Sequence, residues 1–261
     1  MLSYKNVSVA YGGGEPALLN FSLDVTQGEI VALVGESGSG KTTAIRAVMG
    51  LLSGGGRVIQ GDILFEGRSL LSLSLSEWLA LRGGPISMIF QDSGSMLNPI
   101  RTIGSQFVEY IRAHLPMDKT QAWERGRVML DRMGLPHSQT IMKSYPFQLS
   151  GGMRQRVGIA MAMVFQPRIL LADEPTSALD VTTQSQIVRQ MMALREEYGT
   201  AIVLVTHNLG MAAYMADRIF VMTRGRVVDA GDREQILKRS GAAYTCELLD
   251  AVPAMRGRRY V

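Results

Sequence analysis

The stretch that decides the fold is VALVGESGSGKTT, residues 31–43. It contains the pattern G-x-x-x-x-G-K-[S/T], preceded by an apolar run typical of a buried strand and followed by a segment with helical spacing. In that setting the glycines let the backbone wrap a phosphate, the lysine reaches the β- and γ-phosphates, and the threonine hydroxyl can hold Mg²⁺. We therefore predict a phosphate-binding loop rather than a plain glycine-rich turn. Its predicted binding residues are Gly35, Ser37, Gly38, Gly40, Lys41, Thr42 and Thr43.

The composition is that of an ordinary folded protein, with 46% hydrophobic and 19% charged residues among 261. No apolar run approaches the roughly 18 residues that a membrane-spanning helix needs, and the start lacks the pattern of a secretory signal. The single cysteine, Cys246, excludes an internal disulfide, and we expect a cytoplasmic location. The net charge is +4, and we interpret the basic residues 255–260 as a solvated terminus rather than as a contact with lipid or nucleic acid.

Strand and helix patterns alternate along most of the chain, which predicts a mostly parallel sheet covered on both faces. Antiparallel strands or hairpins are predicted at residues 2–10, 17–25, 57–70 and 219–231. Buried strands are predicted at residues 28–35, 86–90, 168–173 and 201–207. Helices are predicted at residues 42–52, 154–165, 182–198 and 209–216, with a further helix start near Ser74 because Ser74 and Glu77 have the spacing of a capping box.

Residues 92–150 differ from the rest, since a loop there is followed by segments rich in helix formers. We interpret this region as an inserted helical subdomain. The chain is then one domain, with a core from residues 1–91 and 151–235 and a short C-terminal tail at 236–261.

Two carboxylates follow the apolar run ILLA, at Asp173 and Glu174. At the tip of a buried strand, Asp173 suits a water-mediated contact with Mg²⁺. Glu174 would point toward the γ-phosphate and could orient or deprotonate an attacking water. A merely charged turn is the alternative, and the phosphate loop in the same chain argues against it.

Gln91 and His207 also stand at the carboxyl ends of predicted strands. His207 could touch the γ-phosphate. Taken alone, a glutamine or a histidine in such a place is more often structural, and we read His114 and His137 in that way.

A second glycine turn, LSGGMRQR at residues 149–156, runs into a predicted helix. Such a turn presents backbone N–H groups at the positive end of a helix, and it should hold an anion. The chain therefore has two predicted anion-binding helix starts more than a hundred residues apart.

The order of these features resembles the nucleotide-binding subunit of an ABC transporter over nearly the whole chain. LSGGMRQR is similar to the signature motif of that family. The resemblance implies a P-loop NTPase (RecA-like) α/β core with an antiparallel β subdomain and an inserted α-helical subdomain. It also implies that the protein is an ATPase and that ATP and Mg²⁺ are its ligands.

The resemblance assigns a role to each candidate residue. Gln91, Glu174 and His207 become the catalytic residues, and Thr42, Gln91 and Asp173 the metal site. Residues 177–180 become the D-loop, which ends at Asp180, and Tyr11 would stack on adenine unless it packs on the sheet as a strand-end tyrosine. ATP binds between two head-to-tail subunits in this family, so Ser150, Gly151 and Gly152 would close over the γ-phosphate held by the partner.

Within the family, the closest resemblance is to the ATPases of dipeptide, oligopeptide and nickel importers. It is carried by residues 91–106, with Leu-Asn-Pro at 97–99, and by residues 145–163, 172–187 and 243–253. The chain departs from that branch at Ser93-Gly94, where Gln-Asp-Pro is usual, and at Ala242-Ala243, where His-Pro is frequent. The cargo predicted from this resemblance is a peptide or, alternatively, nickel or a metallophore.

The same resemblance implies two transmembrane permeases, a second ATPase subunit and an extracytoplasmic solute-binding protein. Because this branch usually pairs two different ATPases, a heterodimer is favoured. No nucleic acid partner is expected, and the location would be the cytoplasmic face of the membrane. One alternative is an ATPase of a soluble assembly that resembles the carbon–phosphorus lyase ATPases. Another is a P-loop kinase, which the signature motif disfavours.

Overall fold

The first two strands of the chain pair in the antiparallel direction, as predicted from their alternating apolar and polar residues. The computed structural model describes residues 1–177, 179–239 and 241–250, together with the backbone at 254–255 and 258–259. It divides the chain into two compact units, the first made of Met1–Leu75 and Ala201–Val261 and the second of Ser76–Thr200. The predicted terminal residues 255–260 lie largely outside the described residues, as does Ala178 of the predicted D-loop.

The strands in chain order are β1 (Leu2–Tyr11), β2 (Leu18–Val25), β3 (Ile30–Val34), β4 (Gly56–Phe65), β5 (Arg68–Ser69), β6 (Ile86–Ile89), β7 (Ile169–Asp173), β8 (Ala201–Thr206), β9 (Arg218–Thr223), β10 (Arg226–Asp232), β11 (Ala254–Met255) and β12 (Arg258–Arg259). The helices are α1 (Lys41–Val48), α2 (Leu75–Leu81), α3 (Ile103–His114), α4 (Lys119–Arg132), α5 (Ser138–Lys143), α6 (Gly151–Met163), α7 (Val181–Tyr198), α8 (Leu209–Met215), α9 (Arg233–Arg239) and α10 (Ala243–Asp250), and a 3₁₀ turn spans Pro146–Gln148.

The first unit contains an antiparallel sheet with the strand order β2-β1-β4-β5. Tyr4 of β1 is buried and packs edge-on against Phe21 of β2, with ring centroids 4.9 Å apart. Its hydroxyl donates to the carbonyl oxygen of Ala44 in α1 at 3.0 Å. Burial raises the pKa of the Tyr4 hydroxyl, which therefore stays a neutral donor. This hydrogen bond ties the helix after the phosphate loop to the antiparallel sheet.

The first unit also contains parallel strands in the order β10-β9-β3-β8, with β10 antiparallel at the edge. Every residue of β3 is buried, as its continuous apolar run predicts. The last residue of β3, Val34, pairs with Thr206 of β8 and with Val221 of β9. Because the strands are parallel, the phosphate loop and His207 both follow the carboxyl ends of their strands, on the same side of the sheet.

The second unit pairs β6 and β7 in parallel and adds the helices α3 to α7. Ile89 of β6 pairs with Ala172 of β7, so Gln91 and Asp173 emerge at the same end of the pair. In the helical part, α4 approaches α3 closely at Gly126. A Cβ atom there would lie 2.9 Å from the Phe107 ring, and glycine is therefore required for this packing.

The predicted strands are confirmed, and so is the helix start near Ser74. The helix predicted at 42–52 is too long, because α1 ends at Val48 and the chain turns at Gly50 with φ +59°, before the glycines at 54–56. Two helices were not predicted: α9 lies partly and α10 wholly in the predicted tail. The division into a core and a helical subdomain at 92–150 stays a prediction.

Candidate nucleotide site

The phosphate loop (residues 35–42) is shaped by glycines at two tight contacts. A Cβ atom on Gly35 would lie 2.1 Å from the carbonyl oxygen of Met222, and one on Gly40 would lie 2.6 Å from that of Ala17. Gly40 also has φ +101°, which side-chain-bearing residues rarely adopt. The loop is therefore wedged against β9 and the segment before β2, and its path is fixed by neighbouring backbone.

Gly38 lies at the open side of the loop. It has φ +80°, and no atom of the described residues lies within 4 Å of the place where its Cβ would be. Gly40 is the N-cap residue of α1, and within the described part of the chain no side chain caps this helix. Binding of an external anion at the N-terminal end of α1 stays a prediction from the sequence pattern.

Lys41 is 5% exposed and folds back onto its own loop. Its Nζ atom donates to the carbonyl oxygens of Gly35 at 2.7 Å and Glu36 at 2.6 Å, and to the Ser39 hydroxyl at 3.1 Å. A buried ammonium group needs such partners, because desolvation of an unpaired charge is costly. The loop itself therefore holds the lysine side chain at its inner side, without a bound phosphate.

Tyr11 ends β1 beside the first turn of α1. Its hydroxyl lies 3.5 Å from the Thr43 hydroxyl, and its ring covers Gly56, where a Cβ atom would come within 2.4 Å of the ring. The contact with Gly56 fits the packing alternative for Tyr11. Adenine stacking stays a prediction.

His207 follows β8 directly and is exposed. The next residue, Asn208, caps α8 by accepting a hydrogen bond from the Met211 N–H at 3.0 Å. The cap fixes where the chain turns after β8, and the histidine is consequently placed at the sheet edge where the phosphate loop begins.

In the second unit, Asp173 is the last residue of β7 and is 2% exposed. Glu174 follows with φ +44°, in the left-handed region that is unfavourable for a residue with a side chain. Such backbone strain is concentrated at functional sites in proteins. The turn aims Glu174 away from the strand direction, and its Oε2 atom accepts a hydrogen bond of 3.4 Å from Gln91 Nε2.

Ser177 links the same two strand ends. Its hydroxyl donates to the carbonyl oxygen of Gln91 at 3.1 Å, and its N–H donates to the carbonyl oxygen of Glu174 at 3.1 Å. The structure thus brings together Gln91 and Glu174, which the sequence analysis selected from separate strands.

Asp180 caps α7. Its carboxylate accepts from the Thr183 N–H at 3.0 Å and from the Thr183 hydroxyl at 2.7 Å. These hydrogen bonds, with the backbone one first in importance, lower the pKa of the Asp180 carboxyl. Its predicted contact with nucleotide remains a prediction alongside this capping role.

The signature turn (Ser150, Gly151 and Gly152) begins α6. Ser150 is the N-cap, and its hydroxyl accepts from the Met153 N–H at 3.3 Å. Ser150 and Gly151 are exposed, and no described atom would lie within 4 Å of a Cβ on Gly151. This turn is therefore open to an external anion or a second chain.

Gln155 is a functional candidate that the sequence analysis missed. It is buried one turn into α6, and its Nε2 donates to the carbonyl oxygen of Pro175 at 2.8 Å. The bond connects the helix of the signature turn to the segment directly after Glu174. The available signal was a glutamine in a helix whose neighbours are apolar, which does not reveal a partner twenty residues away.

Comparison with known proteins agrees with this arrangement. The family model described as ABC transporter matches residues 18–177. The dipeptide transport ATP-binding protein DppD of Lactococcus lactis is 42% identical over 98% of this chain and 74% of its own length. The glutathione import ATP-binding protein GsiA of Escherichia coli is 42% identical over the whole chain, which spans 44% of the length of GsiA.

Among solved structures, the ATP-binding cassette MJ0796, in a dimeric post-hydrolysis state bound to ADP and Pi, superposes with a TM-score of 0.78. It is 31% identical, and the match covers 89% of this chain and 99% of that one. The chain belongs to the ABC transporter family. The predicted P-loop NTPase fold, the predicted ATP binding and the predicted ATPase activity are confirmed.

Proposed function

We propose that the chain is the ATP-hydrolysing subunit of a membrane importer for peptides. The proposal is supported by the likeness to DppD and GsiA, which are named for dipeptide transport and glutathione import. The observation that carries the enzymatic part is the pair of strand ends that places Glu174 beside Gln91, with Asp173 adjacent. Nickel or a metallophore remains the alternative cargo from the sequence resemblance.

In this proposal the phosphate loop binds the β- and γ-phosphates of ATP. The close approaches of Gly35 and Gly40 to neighbouring backbone hold the loop in place, which reduces the ordering that binding would require. Lys41 supplies a fixed positive charge, which exchanges its hydrogen bonds to loop oxygens for charge-assisted bonds to phosphate. Thr43 lies on the first turn of α1, next to Lys41 and Thr42. Tyr11 would contact the adenine.

Oxygen atoms are the ligands that Mg²⁺ prefers, and the predicted metal residues Thr42, Gln91 and Asp173 provide them. The near-complete burial of Asp173 suits a carboxylate that faces a cation rather than bulk water. When bound with ATP, Mg²⁺ would neutralise charge on the β- and γ-phosphate oxygens. No cluster of three or more His, Cys, Asp or Glu side chains that could hold a metal occurs in the part of the chain that the structure describes.

Glu174 is the proposed base, which orients or deprotonates the attacking water. The amide of Gln91 donates to its carboxylate at 3.4 Å, a long hydrogen bond that restrains the carboxylate weakly. His207 is proposed to contact the γ-phosphate from the edge where the phosphate loop begins. These roles follow the family resemblance residue by residue.

The signature turn is proposed to act on the ATP of a neighbouring ATPase subunit. Its exposure favours that role, and MJ0796 is dimeric in its ADP- and Pi-bound state. A second helix N-terminus closed over the γ-phosphate adds charge-assisted hydrogen bonds where water is excluded. ATP would then favour the closed pair of subunits, and hydrolysis would remove the bridge.

The proposed assembly contains two permeases, a second ATPase and a solute-binding protein, at the cytoplasmic face of the membrane. The helical subdomain at residues 92–150 would receive the permease. No helix of the described residues is long and apolar enough to cross a membrane.

Affinity purification of the tagged chain from gently solubilised membranes of its host, followed by mass spectrometry, tests the proposal. We expect two permeases, a second ATPase and a solute-binding protein. Recovery with soluble enzymes and without a permease would contradict the importer and favour the soluble-assembly alternative.

A further inference from the structure

The C-terminal helix α10 reaches the start of the phosphate loop. The hydroxyl oxygen of Tyr244 accepts a hydrogen bond from the Glu36 N–H at 3.0 Å. Glu36 and Tyr244 are 208 positions apart in the chain, and neither side chain belongs to the motif that defines the loop. The contact therefore brings a residue from the far end of the sequence to the nucleotide site.

The same peptide group is held at its other end by Lys41. The N–H of Glu36 and the carbonyl of Gly35 belong to one planar peptide. The carbonyl oxygen accepts from Lys41 Nζ at 2.7 Å while the N–H donates to Tyr244. Hydrogen bonds at both ends of a peptide polarise each other, and rotation of the plane would lengthen both bonds.

The position of Tyr244 is fixed by the strand scaffold. The next residue, Thr245, is 0% exposed, and its hydroxyl donates to Asp229 of β10 at 2.9 Å. Gly35 packs against the Met222 carbonyl of β9, which pairs with β10. The loop start and the helix that holds it thus rest on one antiparallel hairpin.

A cavity of about 410 Å³ separates the remaining parts of the two elements. Loop residues 36–39 line one side, Thr223 and Arg224 line the turn after β9, and Tyr244 and Glu247 line the face of α10. The Tyr244 hydrogen bond spans one side of this cavity. Gly38 lines the same cavity as Tyr244 and Glu247.

We propose that Tyr244 is a positioning residue, which orients the Gly35–Glu36 peptide and through it the ammonium group of Lys41. The inference rests on the proposed role of Lys41 in phosphate binding. With Tyr244 in place, the loop start is ordered before ATP arrives, and less conformational entropy is lost on binding.

The test compares Tyr244→Phe with Tyr214→Phe in the full chain. Tyr214 is exposed on α8 and serves as the matched control. Amide hydrogen exchange of Glu36, followed by NMR without nucleotide, should be faster in Tyr244→Phe than in the wild type or the control. Calorimetric titration should show about two- to tenfold weaker ATP binding, the range for loss of one hydrogen bond. Equal exchange or equal affinity in the two variants would overturn the proposal.

A double variant separates positioning of Lys41 from general stabilisation. In a Lys41→Met background, which keeps most of the aliphatic stem, Tyr244→Phe should change ATP affinity by less than about twofold, because the two effects share one peptide. A full additive loss there would mean that Tyr244 acts without Lys41 and would overturn the inference. If instead Lys41→Met alone left ATP affinity unchanged, the proposed role of Lys41 would fail, whereas the Glu36 exchange rate would still report the Tyr244 contact.

Discussion

The chain has two helix starts that follow glycine turns, and they are built in different ways. At α1 the cap residue is Gly40 in a left-handed conformation, and no side chain of the described residues caps the helix. At α6 the cap residue is Ser150 in an extended conformation, and its own hydroxyl caps the helix. The first start is wedged between backbone segments, whereas the second is exposed.

This difference teaches how one motif type can serve two roles. The α1 start has no side-chain cap among the described residues, and its loop packs closely against the backbone of Met222 and Ala17. The α6 start is complete without a ligand, yet the Ser150 hydroxyl that accepts from Met153 still has its own proton to donate. The first therefore resembles a preformed receptacle and the second a surface that can close over a phosphate held elsewhere.

The largest effect is expected at neither helix start. If both starts only bind phosphate, the Glu174 carboxylate should carry hydrolysis. Glu174→Gln should slow ATP turnover by about 10²–10⁴-fold, the usual contribution of a positioned base, with ATP affinity unchanged. Steady-state phosphate release and calorimetry measure the two quantities. Glu196→Gln, at an exposed position of α7, is the matched control. Near-normal turnover in Glu174→Gln would contradict the assignment.

The next largest effect tests phosphate binding by the loop at the start of α1. Lys41→Ala should weaken ATP binding by about 10- to 100-fold, since hydrogen bonds to a charged group contribute roughly 1.5–3 kcal/mol. The exposed Lys143 provides the control substitution Lys143→Ala, which should bind ATP as the wild type does. Calorimetric titration of the isolated chain decides between them. Unchanged affinity in Lys41→Ala would mean that the backbone of the loop binds phosphate without its lysine.

Patterns of local sequence predicted much of the fold. Continuous apolar runs located β3, β6, β7 and β8, and the polar residues after them predicted the site at the strand ends. They did not locate the end of α1, because Gly50 in a left-handed conformation ends the helix before the more prominent glycines at 54–56. They also did not indicate α10, in which the buried Thr245 contacts Asp229 of β10.

Within the candidate site, the backbone conformations could not be predicted from the residue types. The left-handed backbone of Glu174 has no signal in the residues ADE, and the contact of Ser177 with the Gln91 carbonyl beside it joins positions 86 residues apart. The Gln155 and Tyr244 contacts likewise join positions distant in sequence. The chemistry of one side chain does not indicate which distant backbone carbonyl or amide will be its hydrogen-bond partner.

The smallest predicted effect concerns the cap of α7 and its pH dependence. The pKa of the Asp180 carboxyl is lower in the folded chain than in the unfolded chain. The charged cap therefore stabilises the fold above the unfolded pKa, and this contribution is lost as the pH falls through the lower, folded pKa. Asp180→Asn keeps a capping oxygen without the charge. Its midpoint in chemical denaturation should lie slightly below that of the wild type at pH 7.

Below the folded pKa of Asp180, which lies under the ordinary value of an aspartate, the midpoints of wild type and Asp180→Asn should converge, because the carboxyl is then neutral in both the folded and the unfolded chain. A constant difference from pH 7 down to the acid limit would show that the charge of Asp180 does not contribute to the cap.

The most direct test of the two-helix-start account is Ser150→Arg, examined in the isolated chain and in the complex purified from membranes. The arginine should block closure of the exposed signature turn over the ATP of a neighbouring subunit. We predict wild-type ATP affinity in the isolated chain and at least about tenfold slower turnover in the complex, as expected when phosphate donors are withdrawn. Loss of ATP binding by the isolated chain, or normal turnover in the complex, would contradict the account.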